Sequence, residues 1–319
     1  MKIQEKLSNI NNVFVFNQNL LLIKETEFFI DKNNYQKNED DCIFISNNYL
    51  FMVRENVLYQ CKHNSFQLIS KEYTNIYLKN DEVQILTRIN DDFPVKTLFK
   101  TDNCEFSFEG LFSILYCNDS RIHLYNSLSR KEIKVINKEG IQLNNYLMPE
   151  NFKIYLKPEV IGNILYFTAY NEHQKNQLVT GLDIETGAIV WQHMYEVTSA
   201  NKFISAPAFN EKDQLFYGIG HIYQVFNPKT GEIILEKIFD ECKNYNLLVD
   251  AQAIYDNKLW FVSGGGKNTK FGYVNIDTHQ LEFIQDLPHE EYEVFDIPVF
   301  HEGKLYLRGK HQNNLYIFE

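Results

Sequence analysis

Short apolar strands and polar turns alternate along this chain in a fixed order. Leu165-Tyr166-Phe167, Leu215-Phe216-Tyr217 and Leu259-Trp260-Phe261 each open a unit, and Ile114-Leu115-Tyr116 does so less regularly. Each unit continues with an apolar residue, Asp or Asn, two variable residues, Thr or Ser, and usually Gly. The copies are Leu182-Asp183-Ile184-Glu185-Thr186-Gly187, Phe226-Asn227-Pro228-Lys229-Thr230-Gly231, Val274-Asn275-Ile276-Asp277-Thr278-His279 and, faintly, Tyr125-Asn126-Ser127-Leu128-Ser129-Arg130. A further apolar-rich strand follows each copy, at 188–191, 232–235, 280–284 and 131–136. Several short strands recurring at a period of roughly 40 to 50 residues are the signature of a β-propeller. The phrase itself reads as a turn. Asp or Asn can accept a hydrogen bond from the backbone two residues on, and Gly takes positive φ without a Cβ clash. Where His279 and Arg130 replace Gly, the turn is expected to be slightly strained or of another type.

Units phase at about 41–70, 73–100, 106–137, 155–193, 203–238, 250–286 and 296–319, which predicts one domain over 1–319 with seven blades. The last unit stops after three strands, and Val13 to Phe16 and Leu20 to Ile23 are strand-like segments that no early blade needs. An unpaired sheet edge invites association with other chains. A strand from 12–30 is therefore expected to complete the last blade as its outermost strand, so the fold class is an all-β, seven-bladed propeller closed by an N-terminal strand.

Composition agrees with packed sheets, since 44% of residues are apolar and 20 Tyr and 25 Phe are present. Only 14 Gly and 7 Pro serve many turns, which leaves that role largely to Asn. No apolar stretch has the length of a membrane span, and the first residues carry no signal-peptide pattern. The five cysteines (Cys42, Cys61, Cys104, Cys117, Cys242) are odd in number and lack C-x-x-C spacing, so reduced thiols and a cytosolic setting are expected.

On the residues of the repeat, above all Leu182 to Trp191 with Gly187 four residues before Trp191, the chain resembles the quinoprotein-type (PQQ-like) propeller. Blades of that superfamily read Leu-Tyr-x-Leu-Asp-x-x-Thr-Gly-x-x-x-Trp. The next unit keeps Asn227, Thr230 and Gly231 but places Leu235 at the Trp position, and the third keeps Asn275 and Thr278. The resemblance implies the fold. Its enzymatic members hold a quinone with a metal ion, a stacking Trp and often a bridge between adjacent cysteines. Here no cysteines adjoin and Trp191 occupies a repeat position. The nearer analogy is to the non-enzymatic members that scaffold protein assemblies, with no cofactor.

Motifs for chemistry are sparse. Gly264-Gly265-Gly266-Lys267-Asn268-Thr269 resembles a phosphate loop, yet Phe261 stands at the first Gly position and Asn268 at the Ser/Thr position. The nine histidines show no H-x-x-x-H spacing, and no G-x-S-x-G is present, so neither a metal site nor catalytic residues are expected. With 42 acidic and 31 basic side chains the net charge is -11, which argues against a nucleic-acid partner.

The acidity concentrates in three long connections at 31–41, 239–250 and 285–296. Candidate protein-binding residues there are Glu39, Asp40, Asp41, Asp240, Glu241, Tyr245, Asp250, Asp286, Glu290, Glu291, Tyr292, Glu293, Phe295 and Asp296. They suit a docking face for a basic protein, with Tyr245, Tyr292 and Phe295 as aromatic anchors in a polar rim. The expected function is non-enzymatic protein binding, in one version an immunity or inhibitor protein that covers a basic toxin. The alternative is a hydrolase or lyase with its site at the central channel.

Overall fold

A computed structural model describes the chain apart from residues 47–48, 56, 63–64, 71–74, 80–82, 91–93, 101–103, 119, 157, 172, 174, 197–206, 221, 243–246, 264–268 and 288–291. Among the described residues all regular structure is strand except a single 3-10 turn at Asp240–Cys242. The strands pair, antiparallel throughout, into eight sheets. In chain order sheet 1 spans 12–36, sheet 2 42–70, sheet 3 75–109, sheet 4 112–147, sheet 5 153–196, sheet 6 208–237 and sheet 7 247–286. Sheet 8 joins Val299–His301, Lys304–Arg308 and Leu315–Phe318 to the N-terminal strand Ile3–Leu7 at its edge.

The seven units phased from residue 41 onward correspond to sheets 2 to 8, and the last is completed by an N-terminal strand. The identity of that strand and the role of 12–30 need correction. Ile3–Leu7 closes sheet 8, with Ile3 opposite Phe318 and Leu7 opposite Leu315. Residues 12–36 instead form a sheet of their own. The reason is local: Asn17 and Gln18 both take positive φ (48° and 63°), a two-residue hairpin turn that folds Asn12–Phe16 onto Asn19–Ile23. Short-range pairing then consumes the edges that closure would have needed.

Contacts gather the sheets into two compact units. The first comprises 1–39, 197–228 and 232–319, and the second 40–196 with 229–231. Within the first, alternate residues of one strand serve different neighbours, because successive side chains point to opposite faces. Leu259 and Phe261 pack with Tyr217, Tyr223 and Val225 of sheet 6, whereas Trp260 and Val262 pack with Leu305, Leu307 and Phe318 of sheet 8. Val13 of sheet 1 packs with Tyr306, Leu315 and Ile317. Within the second unit Ile133 of sheet 4 joins Leu165, Phe167 and Leu178 of sheet 5, and Phe99 of sheet 3 joins Phe112, Ile122 and Leu124 of sheet 4. Strands covered on both faces read as continuous apolar runs, which explains triplets such as Leu259-Trp260-Phe261.

The repeated phrase is a turn, as its chemistry requires. Asp183 Oδ1 accepts hydrogen bonds from the backbone N–H of Glu185 (3.0 Å) and Thr186 (2.7 Å) and from the Thr186 hydroxyl (2.8 Å). Asn275 Oδ1 accepts from Asp277 N (2.9 Å) and Thr278 N (3.2 Å), and Asn126 Oδ1 from Ser129 N (3.0 Å). The fifth residue after the apolar one takes positive φ in every copy: 71° at Gly187 and Gly231, 54° at His279 and 56° at Arg130. His279 and Arg130 thus keep the conformation of the glycines at the steric cost of a Cβ. Replacing the exposed Arg130 by Gly should raise stability by up to about 1 kcal/mol, because relief of left-handed strain outweighs the entropy Gly brings. A midpoint in urea that stays put or falls would overturn this.

Three of the four turns are also held from outside by the last strand of the preceding sheet. Asn144 Nδ2 donates to the Thr186 carbonyl at 3.0 Å, His193 Nε2 lies 3.2 Å from the Thr230 carbonyl, and Lys237 Nζ donates to the His279 carbonyl at 3.0 Å.

Candidate functional site

The fourteen acidic and aromatic candidates divide into three groups. Glu39, Asp40, Asp240, Glu241, Asp286 and Tyr292 are exposed; Tyr292 is 59% accessible, and Asp286 is paired with Lys270 at 2.7 Å. Tyr245, Glu290 and Glu291 lie outside the described residues, as do 264–268 of the glycine-rich segment, and Asp250 lies in the strand Leu247–Tyr255. The remaining four are built into the fold rather than offered to a partner.

Asp41 is buried and receives Arg54 through both Nε (2.9 Å) and Nη2 (2.6 Å). Glu293 is 1% exposed; its Oε1 accepts from His311 N (2.8 Å) and Val294 N (3.1 Å), and its Oε2 from Gln312 N (3.1 Å). Phe295 is fully buried in the core between sheets 7 and 8. Asp296 bonds the Arg308 guanidinium and lies 3.2 Å from Lys310 Nζ, while Arg308 also donates to the Ile10 carbonyl at 2.8 Å. Glu293 thus satisfies a cluster of backbone donors, whereas Asp41 and Asp296 neutralise the side-chain cations that face them.

A concave site that sequence reasoning missed lies in the first unit. A cavity of about 720 Å³ is lined by Met1, Tyr255, Asp256, Lys258, Trp260, Tyr273, Phe283, Phe300 and Gly303. Trp260, Tyr273 and Phe283 stand directly opposite one another on three adjacent strands of sheet 7, so their rings form one row on one face. Trp260 and Tyr273 have ring centroids 4.7 Å apart, and Trp260 and Phe300 4.9 Å. Phe300 is stacked in turn on Tyr255 at 4.5 Å with planes 6° apart. Two hairpins lie at the rim, Asp256-Asn257 and Glu302-Gly303, each with both residues at positive φ. Lys258, two residues before Trp260 on the same face, carries its ammonium 5.0 Å from the Tyr273 ring centroid and 3.7 Å from Asp256 Oδ2. The Trp260 side chain is buried, and its indole N–H has no hydrogen-bond partner. The available signal was positional: one of only two tryptophans heads a cross-strand aromatic row.

Other titratable groups are tuned toward their neutral forms. Burial pushes the Tyr217 and Tyr223 phenols well up. Tyr217 donates to Asp213 at 2.5 Å, and the Tyr223 hydroxyl lies 3.0 Å from His279 Nδ1. Burial also raises the Cys242 thiol to about 11, with Glu241 adding to the shift, so it stays protonated at neutral pH. Burial lowers the His123 imidazole, whose Nε2 lies 2.5 Å from the Ile184 carbonyl. These side chains act as hydrogen-bonding and packing groups. Among the described residues no three of His, Cys, Asp and Glu are grouped to hold a metal ion, and no helix is long and apolar enough to cross a membrane.

No protein-family model and no curated protein matches the sequence. Solved structures match the fold. BamB from Moraxella catarrhalis is 12% identical with a TM-score of 0.60, over 99% of this chain and 98% of that one. The Dos1 propeller is 12% identical with a TM-score of 0.52, over 99% and 94%. Apo AztD from Citrobacter koseri is 8% identical with a TM-score of 0.53, over 88% and 87%. At these identities the likeness is one of fold, and it supports the all-β propeller.

Proposed function

We propose that this propeller acts in the cytosol by binding another protein, through connections that present acidic side chains around an exposed aromatic. The observation that carries this reading is Tyr292, 59% accessible on the connection into sheet 8, with exposed Asp286 on the strand before it. Exposed Asp240 and Glu241 lie on the connection into sheet 7 and carry the same sign. A large aromatic left in water beside a polar rim is the kind of residue that anchors an interface, and the surrounding charge favours a basic partner. The finer version is an inhibitor that covers a basic toxin, for which an acidic, compact chain is chemically suited. The buried carboxylates Asp41 and Glu293 take no part in it.

The test starts from a partner obtained by affinity capture and measures both rate constants. Reversing Asp240 and Glu241 to Lys should slow association and flatten its dependence on salt, with little effect on folding, because exposed rim charges act chiefly on encounter. Tyr292→Ala should speed dissociation by roughly the tenfold or more that loss of a buried aromatic anchor brings. Rate constants unchanged by both substitutions would place the interface elsewhere.

A further inference from the structure

We infer that the outer edge of sheet 5, the strand Ile189–Glu196, is a docking site for an extended, uncharged segment of another protein, which adds to the sheet as a further strand. The site shares no residue with the acidic connections, and failure of either leaves the other standing. Among the described residues this strand pairs with Asn176–Asp183 alone, which makes it the last of its sheet. Its eight residues exceed the corresponding strand of every other sheet. Sheets blunt such edges with charge, Pro or brevity. The corresponding strands carry Glu105 and Glu109 in sheet 3, Glu236 and Lys237 in sheet 6, and Glu282 and Asp286 in sheet 7. Residues 187–195 hold no Lys, Arg, Asp, Glu or Pro in a chain that is 23% charged, so this edge lacks that guard until Glu196 ends it.

The edge is also apolar where it meets water, with Ile189, Val190 and Met194 51%, 50% and 59% exposed. Ile189, Gln192 and Met194 stand opposite Leu182, Thr180 and Leu178 and so share one face, with Val190 bulged between the first two. On the other face Trp191 is stacked on His193 at 5.8 Å, and His193 lies 6.3 Å from Tyr195. Gln192 Nε2 donates to Thr180 Oγ1 at 3.1 Å and to the Tyr146 hydroxyl at 2.7 Å. The strand is therefore ordered before a partner arrives, which lowers the cost of binding. An edge of backbone donors and acceptors selects an extended backbone, and an edge without charge selects an uncharged one. Its size favours a single strand over a second folded copy. Pairing along eight residues covers about 26 Å by roughly 10 Å, on the order of 300 Å² a side, against about 800 Å² a partner in a stable interface.

The experiment titrates the full chain into a fluorescent eight-residue peptide of alternating Val and Thr, read by anisotropy. Its control is the same peptide N-methylated at two adjacent central residues, which removes a donor from each of its edges. The parent peptide should bind saturably and slow amide exchange across 189–196, and the methylated one should bind roughly tenfold more weakly or worse. Val190→Lys combined with Met194→Lys places on this edge the guard that other edges carry. It should weaken the parent peptide by roughly tenfold or more with the melting temperature kept, because both side chains are half exposed. Leu147→Lys, on the uncharged edge of sheet 4, should leave binding unchanged. Should the double variant melt early, the methylated peptide and the exchange map decide. No saturable binding, equal binding of the methylated peptide, binding that survives the double substitution in a folded protein, or protection at a strand other than 189–196 would each overturn the assignment. Self-association of the protein that the double substitution abolishes would make the occupant a second copy and overturn it as well.

Discussion

Glu293→Ala is expected to destabilise the protein by about 3 kcal/mol or more, the range for removing a buried charged acceptor and orphaning several donors. The carboxylate is 1% exposed and receives three backbone N–H groups, two of them from the hairpin that follows Arg308. That hairpin, Lys310 to Asn314, is otherwise held by backbone bonds at its two ends, where Lys310 N donates to the Val294 carbonyl and the Asn313 and Asn314 carbonyls accept from Ile10 N and Gly309 N, and the backbone donors at its tip go to Glu293. Gly309 leaves the space that Glu293 fills, since a Cβ there would fall 2.5 Å from the Glu293 carboxylate. Gly309→Ala should therefore also destabilise, by displacing the same group. Glu293→Gln keeps one acceptor oxygen and should lose about half as much, since its NH₂ opposes an N–H. Chemical denaturation with an unchanged slope reads all three. A Glu293→Ala midpoint within error of the parent would show that the hairpin holds itself.

Removing residues 1–7 should make the protein aggregate or cost it a cooperative melt. The strand Ile3–Leu7 is the outer partner of Leu315–Phe318, whose four residues are all buried. Without it that strand becomes a free apolar edge, the arrangement that templates intermolecular pairing. The chain beyond it is also tied in. Ile10 N donates to the Asn313 carbonyl at 2.8 Å, and the Ile10 carbonyl accepts from Arg308 Nε at 2.8 Å, so the truncated protein keeps part of its docking yet lacks the ladder. Light scattering after size exclusion, together with a thermal melt, measures the outcome. A truncated chain that remains monomeric with its melting temperature intact would mean that closure is dispensable.

The propeller and its turns were legible because their determinants are local. Asp183, Asn275 and Asn126 bond within their own turns, and triplets such as Leu259-Trp260-Phe261 declare a strand covered on both faces. The closing strand was not legible, since Ile3–Leu7 is mostly exposed and its sequence, Ile-Gln-Glu-Lys-Leu, carries little apolar signal. The apolar segment at 12–23 attracted that role instead, although its own hairpin satisfies it. Charge gave no warning that Asp41 and Glu293 are internal, because a buried carboxylate and a solvated one have the same letter. What separates them is the donor set supplied by residues 13 to 19 positions further along. Phe295 could have been placed by its bridge to Gly309, a long-range pairing that no short window contains.

The external hold on three of the four turns has a direction. Asn144, His193 and Lys237 lie in the sheet made earlier in the chain, and the carbonyls they bind, on Thr186, Thr230 and His279, belong to the one made next. As the polypeptide leaves the ribosome, each of these three turns therefore meets a clasp that already exists, whereas the Arg130 carbonyl waits for Ile154 N of the sheet that follows it. For these three turns the order of synthesis sets the donor in place before the carbonyl it binds. A chain interrupted late leaves only an idle side chain at its last edge, while one begun late leaves a carbonyl with nothing to hold it.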